Sequence, residues 1–203
     1  MANLVAATKG NLMAAKKSYD LSKLGFELLD RKRNILVREM MTLIERAEEI
    51  QNTIDETYSK AFTMLRKANI ALGVCNELSQ AVPVEDGLNL SFRSVMGVEI
   101  PIINFKENIY SGVPFGLYDS NSDLDKAYSC FREVRRLTVN LAEVETSVYV
   151  LANAIKKTQK RANALKNIMI PKFESTIKSI TDALEEKERE EFSRLKVIKK
   201  SKE

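Results

Sequence analysis

Few residues in this sequence have the types and spacing that chemistry requires. The 203 residues contain no histidine, which excludes the commonest general base and every metal site that needs imidazole. Cys75 and Cys130 stand far apart, so the sequence contains no CxxC or thiolate-ligand pattern. We expect two reduced thiols and predict no disulfide between them. We also expect no metal ion and no cofactor.

Two charged clusters could still take part in chemistry. Asp123 and Asp125 could act as metal ligands or acids, but they follow Ser120-Asn121-Ser122, a pattern that starts helices and favours acids in the first turn. A basic patch at helical spacing could contact phosphate, but no aromatic residues alternate with it for stacking on bases. Its members are Lys156, Lys157, Lys160 and Arg161. We therefore predict neither catalysis nor nucleic-acid binding.

Charge is distributed unevenly along the chain. Residues 1–50 and 151–203 together carry a net charge of +8, whereas residues 51–150 carry −4. If the chain folds back on itself, the end of the molecule that contains both termini is positive and the other end is negative. This difference could orient the protein between two different partners. No apolar run approaches the roughly 20 residues that span a bilayer, and no secretory signal is apparent. We expect a cytoplasmic protein without membrane insertion.

The elements that carry these charges are predicted from apolar spacing. Along residues 134–169 apolar residues recur at steps of three and four, a 3.5-residue repeat that predicts a left-handed coiled coil. The stripe consists of Val134, Leu137, Leu141, Val144, Val148, Leu151, Ile155, Ala162, Leu165 and Met169, with Thr158 as its one polar member.

A second stripe with the same repeat lies earlier in the chain. It consists of Leu36, Met40, Leu43, Ala47, Ile50, Ile54, Ala61, Met64, Ala68, Ala71, Cys75 and Leu78. Towards the N-terminus Ser22 and Arg33 interrupt it. We predict a mainly α fold of two very long antiparallel helices in one elongated domain, residues 1–203, with helices over 9–80 and 121–200.

The connecting segment, residues 81–120, contains a β-hairpin signal. Leu88, Leu90 and Phe92 alternate with polar residues, and Val98, Ile100 and Ile102 alternate again after Met96-Gly97. A two-stranded hairpin is marginal in water, so its apolar face is expected to pack on the helices or on a partner. Residues 109–117 are expected to form an irregular loop.

The repeat in the second helix fails near its last third. The steps from Leu165 to Met169 to Phe173 are two fours in a row, and Pro171 lies within them. A proline at this place is expected to bend the helix. If the connecting segment brings Gln80 opposite about Asn121, Pro171 is expected to lie opposite Asp30. Beyond Leu184 the helix becomes very polar, with predicted i,i+4 pairs Glu185–Arg189 and Glu190–Arg194.

Several segments of the sequence are characteristic of one protein family. The most specific are Ala142-Glu143-Val144-Glu145, Lys160-Arg161-Ala162-Asn163-Ala164-Leu165, Ile170-Pro171 and the run from Glu188 to Lys196. These segments resemble the D subunit of the V/A-type ATPases. Asn11-Leu12 and the run from Leu29 to Leu36 resemble the N-terminal helix of that family, and Gly97-Val98-Glu99-Ile100-Pro101 resembles its hairpin.

The resemblance implies a central-stalk rotor subunit that is not itself an enzyme. Its terminal ends would enter the catalytic hexamer of A and B subunits, a small F subunit would bind along the coil near residues 40–65 and 135–160, and a membrane-proximal socket subunit of the C/d type would hold the other end. The complex would be peripheral to the membrane. The expected contacts with the hexamer are Lys9, Lys16, Arg31, Lys32, Arg33, Lys160, Arg161, Lys166, Arg189, Arg194 and Lys196.

Two other classes of protein share parts of this pattern. Prefoldin subunits also pair long antiparallel helices through a small β region, but their arms are much shorter. A generic coiled-coil tether would need no further features. A rotor would bind a small F-like subunit one-to-one and then an A/B hexamer, whereas a prefoldin would assemble through its hairpins.

Overall fold

The computed structural model describes residues 6–73, 78, 80–82, 84, 87–106, 114–116 and 120–201. It is a long helix pair with a two-stranded antiparallel hairpin between the helices in sequence, as predicted. The chain separates into two compact units. We call Met1–Ile35 with Ile155–Glu203 the terminal unit, and Leu36–Ala154 the hairpin unit.

The first helix, α1, spans Lys9–Leu72. The Thr8 hydroxyl accepts a hydrogen bond from the Asn11 amide at 3.2 Å, so Thr8 is the N-cap of α1. The prediction that this helix continues to residue 80 is wrong. Gly73 has a φ of 81° and donates its amide to the Asn69 carbonyl, which ends α1 in the left-handed conformation that glycine adopts without strain.

The segment after α1 is described only in part. Leu78 and Gln80 are again helical. Pro83, Cys75 and most of the predicted loop over 109–117 lie outside the described residues. The prediction that Cys75 and Cys130 form no disulfide therefore remains a prediction, and Cys130 itself is a half-buried free thiol.

The second long helix begins where the sequence predicted. Helix α2 spans Ser122–Ala164, and the amides of Leu124 and Asp125 both donate to the Asn121 carbonyl. Asp123 and Asp125 occupy its first turn, where carboxylates stabilise the exposed amides. Within the described residues no group of three acidic or cysteine side chains could hold a metal ion.

A π-helical turn, Leu165–Met169, separates α2 from helix α3, Ile170–Lys200. The Ile170 amide donates to the Leu165 carbonyl five residues back, which is the π pattern. Pro171 follows in the first turn of α3 and has no amide to offer the preceding carbonyls. The turn therefore coincides with the place where the 3.5-residue repeat fails.

Pairing within the terminal unit differs from the predicted alignment. Gly25 faces the Leu165 side chain, and the Tyr19 hydroxyl bonds Glu174 at 2.6 Å. Pro171 lies between these two levels, near Ser22 and not opposite Asp30.

Burial confirms most of the two predicted stripes, but Ala71 and Met169 near their C-terminal ends are exposed. The buried residues of α1 are Leu36, Ile54, Ala61 and Ala68, and all four belong to the first stripe. The second stripe contributes Val134, Val144, Leu151 and Ala162, and its polar member Thr158 is buried with them. In α3 Ile180 is also buried.

The hairpin joins β1, Leu88–Val95, to β2, Val98–Phe105. Val95 pairs with Val98, so Met96 and Gly97 form a two-residue turn, with φ of 52° and 75° as a type I′ turn requires. This register puts Phe92 opposite Pro101 and Arg93 opposite Ile100.

The expectation of one apolar hairpin face is wrong. Side chains that pair directly across strands share a face. Leu88, Leu90 and Phe92 therefore lie on one face, whereas Val98, Ile100 and Ile102 lie on the other, beside Val95, Arg93 and Ser91. Ile100 is buried, and the three β1 residues are exposed.

Candidate protein-interaction surfaces

The terminal unit is strongly basic. Its sequence contains 21 Lys or Arg and 11 Asp or Glu, a net charge of +10. The hairpin unit contains 11 and 17, a net charge of −6. All eleven basic residues that the sequence proposed as contacts lie in the terminal unit. The proposed contacts therefore all belong to the unit with a positive net charge, whereas the hairpin unit has a negative net charge.

Several of these basic residues already have partners within the chain. Lys9 pairs with Glu188 at 3.3 Å, and the Lys166 ammonium lies 5.7 Å from the centre of the Phe26 ring. Arg189 and Arg194 make the predicted i,i+4 pairs with Glu185 and Glu190, at 3.7 and 3.8 Å. These pairs are exposed, so they leave the charges open to a partner.

Among the proposed contacts, Arg33 makes both a hydrogen bond to the opposite helix and a short ion pair. Its guanidinium meets the Asp30 carboxylate at 2.7 Å and donates to the Gln159 side chain at 2.9 Å. Gln159 in turn donates to Asn163 at 2.9 Å. The interruption that the sequence showed at residue 33 is thus a polar layer that crosses between α1 and α2.

The other proposed contacts have simpler surroundings. Lys16, Arg31, Lys160, Arg161 and Lys196 are exposed, and Lys32 is half-buried. Lys23, which the sequence did not single out, lies 4.5 Å from the centre of the Tyr19 ring. A hydrogen bond to Tyr19 raises the pKa of Lys23 above its usual value, so this ammonium remains charged at neutral pH.

Sequence reasoning missed an apolar stripe on the outer face of α1. Leu21, Leu24 and Leu28 are more than half exposed, and Met13 is 73% exposed. Their spacing places them on one helix face, opposite the face that contains Tyr19 and Phe26. Lys16, Lys17 and Asp20 line a shallow groove with Met13, Leu21 and Leu24. The signal was present in the sequence as a second three-four repeat, offset from the first.

The C-terminal end of α3 adds a further apolar surface. Phe192, Leu195 and Ile198 recur every third residue and are at least half exposed, as is Val197. Glu188 is the residue that pairs with Lys9 at the start of α1. The apolar residues after Glu188 thus project past the first turn of α1 and are available to another protein.

The predicted hairpin residues have different environments. Phe92 and Met96 are exposed, Val98 is half-buried, and Ile100 is buried. Gly97 supplies the second left-handed position of the turn. The Arg93 side chain reaches α1, where it pairs with Glu39 at 2.6 Å. The hairpin is thus held to the helices by its Ile100 face and by Arg93.

The hairpin unit also contains an apolar cavity of about 430 Å³. It lies among Leu65, Leu124, Phe131 and the Phe115–Tyr128 edge-to-face pair, with Arg132 and Arg135 in its wall. Nearby, Phe62 packs edge-to-face on Phe131 and stacks on Tyr58. Phe62 is 53% exposed, so this aromatic group extends from the core to the surface.

In the part of the chain that the structure describes, no helix is both long enough and apolar enough to cross a membrane.

Comparison with known proteins identifies the family. The sequence profile of the family of ATP synthase D subunits matches residues 11–200. The chain belongs to this ATP synthase family. The profile covers both units, the hairpin and the π-helical turn, so the whole described architecture belongs to the family region.

Curated relatives agree over nearly their full length. The chain is 43% identical to the V-type ATP synthase D subunit of Thermotoga neapolitana, over 96% of this chain and 97% of the relative. It is 36% identical to the A-type ATP synthase D subunit of Thermococcus kodakarensis, over 96% and 93%. The A-type ATP synthase D subunit of Pyrococcus horikoshii is 34% identical over the same shares.

Proposed function

We propose that this chain is the central rotor subunit of a V/A-type rotary ATPase or ATP synthase. It is a non-catalytic subunit that binds no nucleotide and couples ATP hydrolysis or synthesis in a catalytic hexamer of A and B subunits to ion movement through a membrane ring. It lies on the cytoplasmic side of the membrane, in the peripheral sector of the complex. Its membership of the family of ATP synthase D subunits supports this assignment.

The observation that carries the proposal is the exposed surface of the terminal unit. This unit combines a net charge of +10 with the outer stripe of α1 and the apolar end of α3. Apolar patches bordered by charged residues mark surfaces that another protein covers. A partner that surrounds both helices would cover the two patches together, as a hexamer around a central axis does.

The contact with the hexamer is then both apolar and basic. The expected basic residues stay as proposed, with Lys16, Arg31, Lys160, Arg161 and Lys196 as the freely exposed ones. Arg33 contributes through the polar layer with Asp30 and Gln159, which fixes the two helices against each other. Exposed charges add orientation and association rate, whereas the leucine stripe adds affinity.

The hairpin unit would meet the other stalk subunits. Within residues 40–65, the exposed Phe62 beside Tyr58 is a suitable anchor for the small F subunit, because aromatic residues dominate binding energy at interfaces. On the facing helix Tyr149 is 69% exposed. The membrane-proximal socket subunit of the C/d type would hold the loop end of this unit.

A rotor must present different faces to chemically equivalent catalytic interfaces. Each interface then adopts the state favoured by the face it contacts. The π-helical turn and Pro171 make α3 differ from a regular helix within the terminal unit. We propose that this irregularity, and the bend expected there, helps to distinguish the three interfaces.

Reconstitution tests the assignment directly. Addition of the chain with its F partner to an A/B hexamer should stimulate ATP hydrolysis, and the chain should bind F one-to-one. Leu24→Glu should remove most of the stimulation, because it puts a charge into the apolar stripe. Ile70→Glu is the matched control on the same helix, since Ile70 is 80% exposed in the hairpin unit. Equal stimulation by both variants would argue against the apolar contact.

The role of Pro171 has its own test. Pro171→Ala should reduce the coupling between ATP hydrolysis and ion movement without abolishing hydrolysis. Unchanged coupling, together with an unchanged helix path in the variant, would refute the proposal that this site distinguishes the interfaces.

A further inference from the structure

The two outer edges of the hairpin differ in their hydrogen bonding. In β2 the Ile103 amide donates to the Glu143 carboxylate at 2.7 Å, and the Pro101 carbonyl accepts from the Ser147 hydroxyl at 3.4 Å. Pro101 itself has no amide. Helix α2 therefore bonds two of the groups along the outer edge of β2, and Pro101 removes one amide from that edge.

No other described segment pairs with the outer edge of β1. The Lys106 amide donates to the Gly87 carbonyl, which makes 87 and 106 a hydrogen-bonded pair. Pairs alternate along an antiparallel ladder, so the amides and carbonyls of Leu88, Leu90, Phe92 and Ser94 point away from β2. Among the described residues none of these outward groups has a hydrogen-bond partner.

Open edges usually carry a feature that prevents pairing, such as proline, lysine or a bulge. Residues 88–95 contain no proline and no lysine, and their eight pairs with β2 continue without a bulge. Their one charge, Arg93, lies on the opposite face and pairs with Glu39. The same residues that offer free backbone groups also expose apolar side chains, with Leu90 and Phe92 61% and 62% exposed.

We propose that β1 accepts an extended strand from another protein of the complex and forms a three-stranded sheet with it. This inference rests on the proposed function, since the partner belongs to the same rotary complex. Main-chain hydrogen bonds provide affinity in such strand addition, and alternate side chains provide specificity. The partner strand is proline-free, alternates apolar residues to cover Leu88, Leu90 and Phe92, and has Lys or Arg at its ends.

The charge and area of this region select that occupant. The hairpin unit has a net charge of −6, so a strand with basic flanks is attracted to it. A second copy of this chain would bring the same charge. Pairing of two copies through β1 would bury only the strand edge and a few side chains, far below the roughly 1,000 Å² of a specific interface. A subunit that also contacts the helices has the additional area.

Hydrogen exchange at single-residue resolution tests the strand addition. The full chain is compared alone and with the F, A/B and socket subunits. On assembly the outward amides of Leu88, Leu90 and Phe92 should exchange at least about tenfold more slowly. The amides of Asn89, Ser91 and Arg93 already bond β2 and serve as the internal reference.

A matched pair of variants separates the backbone from the side chain. Leu90→Pro removes an outward amide but no bond between β1 and β2, so the hairpin is retained. It should weaken binding of the partner about tenfold, which is the cost of a lost strand contact. Leu90→Val keeps the amide and an apolar side chain, and should bind within about threefold of the original chain.

The outcomes distinguish strand addition by another subunit, pairing with a second copy of this chain, and failure of the proposed function. Slower outward exchange with weaker binding of Leu90→Pro alone supports strand addition. Partner binding with unprotected outward amides overturns it and leaves the rotor assignment intact. A dimer of this chain with protected outward amides overturns it in favour of a second copy. If none of the other stalk or catalytic subunits binds the original chain, the proposed function fails, and this inference fails with it.

Discussion

The hairpin unit and the terminal unit use the same two helices in different ways. Eleven of the thirteen buried apolar residues in the described chain lie in the hairpin unit, whereas Ala162 and Ile180 are those of the terminal unit. The hairpin unit adds strands and an aromatic group to its helices, and it also exposes Phe62, Leu90 and Phe92. The terminal unit exposes leucines and a phenylalanine and forms ion pairs of its own.

The difference lies in how much apolar area each unit buries. Folding of the hairpin unit is supported by more buried apolar residues. The terminal unit buries fewer of them and exposes apolar residues among basic ones, which is typical of a surface that another protein covers.

A matched pair of leucine variants on α1 would break this comparison most clearly. Leu36 is fully buried in the hairpin unit, and Leu28 is 58% exposed in the terminal unit. Leu36→Ala should lower the free energy of unfolding by about 3 kcal/mol, because it leaves a cavity. Leu28→Ala should change it by less than about 0.5 kcal/mol. Urea unfolding followed by circular dichroism measures both, and equal losses would remove the distinction between the units.

Attachment of the hairpin should depend on one carboxylate. Glu143→Ala leaves the half-buried Ile103 amide without its acceptor and should cost about 2 kcal/mol, as expected for a bond to a charged group. Glu145→Ala changes an exposed residue on the same helix and should have little effect. Exchange of the Ile103 amide reports the result, and slow exchange in the Glu143→Ala variant would contradict this role.

The hairpin turn offers a stabilising change. Met96 has a φ of 52°, a conformation that costs most non-glycine residues energy but that asparagine tolerates. Met96→Asn should raise the free energy of unfolding by about 1 kcal/mol, since Asn-Gly is the preferred type I′ pair. The Ser91 amide should then exchange more slowly. Loss of stability would mean that the Met96 side chain packs usefully where it is.

The smallest effect is expected in the polar part of α3. Arg189→Ala removes the exposed pair with Glu185 and should change the free energy of unfolding by no more than about 0.5 kcal/mol. Thermal unfolding in low and high salt measures this. A loss comparable with that of Leu36→Ala would show that exposed ion pairs stabilise the terminal unit as strongly as buried residues stabilise the hairpin unit.

The seams could be predicted from the sequence because a 3.5-residue repeat is a local property of each helix. Thr8, Asn121 and the Met96-Gly97 turn were predictable for the same reason, since caps and tight turns depend on neighbouring residues. The end of α1 at Leu72 depended on which of several glycines would adopt the left-handed conformation. Gly10 and Gly25 lie within α1, so residue type alone did not decide this.

The faces of the hairpin strands and the alignment of the two helices could not be predicted from local patterns. Which hairpin residues share a face depends on the register, and a shift by one residue moves every side chain to the other face. The level of α1 at which Pro171 lies depends on how the two helices are aligned, which the repeat within each helix does not fix. The exposed stripe from Met13 to Leu28 was overlooked because one seam had already explained the apolar residues of α1.

The π-helical turn sets the direction in which the end of α3 faces. One residue of an α-helix rotates the chain by about 100°, so a register change of one residue would turn every later side chain away from its former azimuth. The turn takes up one additional residue within Leu165–Met169, and Ile180 still enters the seam. Phe192, Leu195 and Ile198 therefore keep a fixed angle about the helix axis relative to the seam. The π-helical turn thus determines the direction in which the apolar end of α3 faces a surrounding protein.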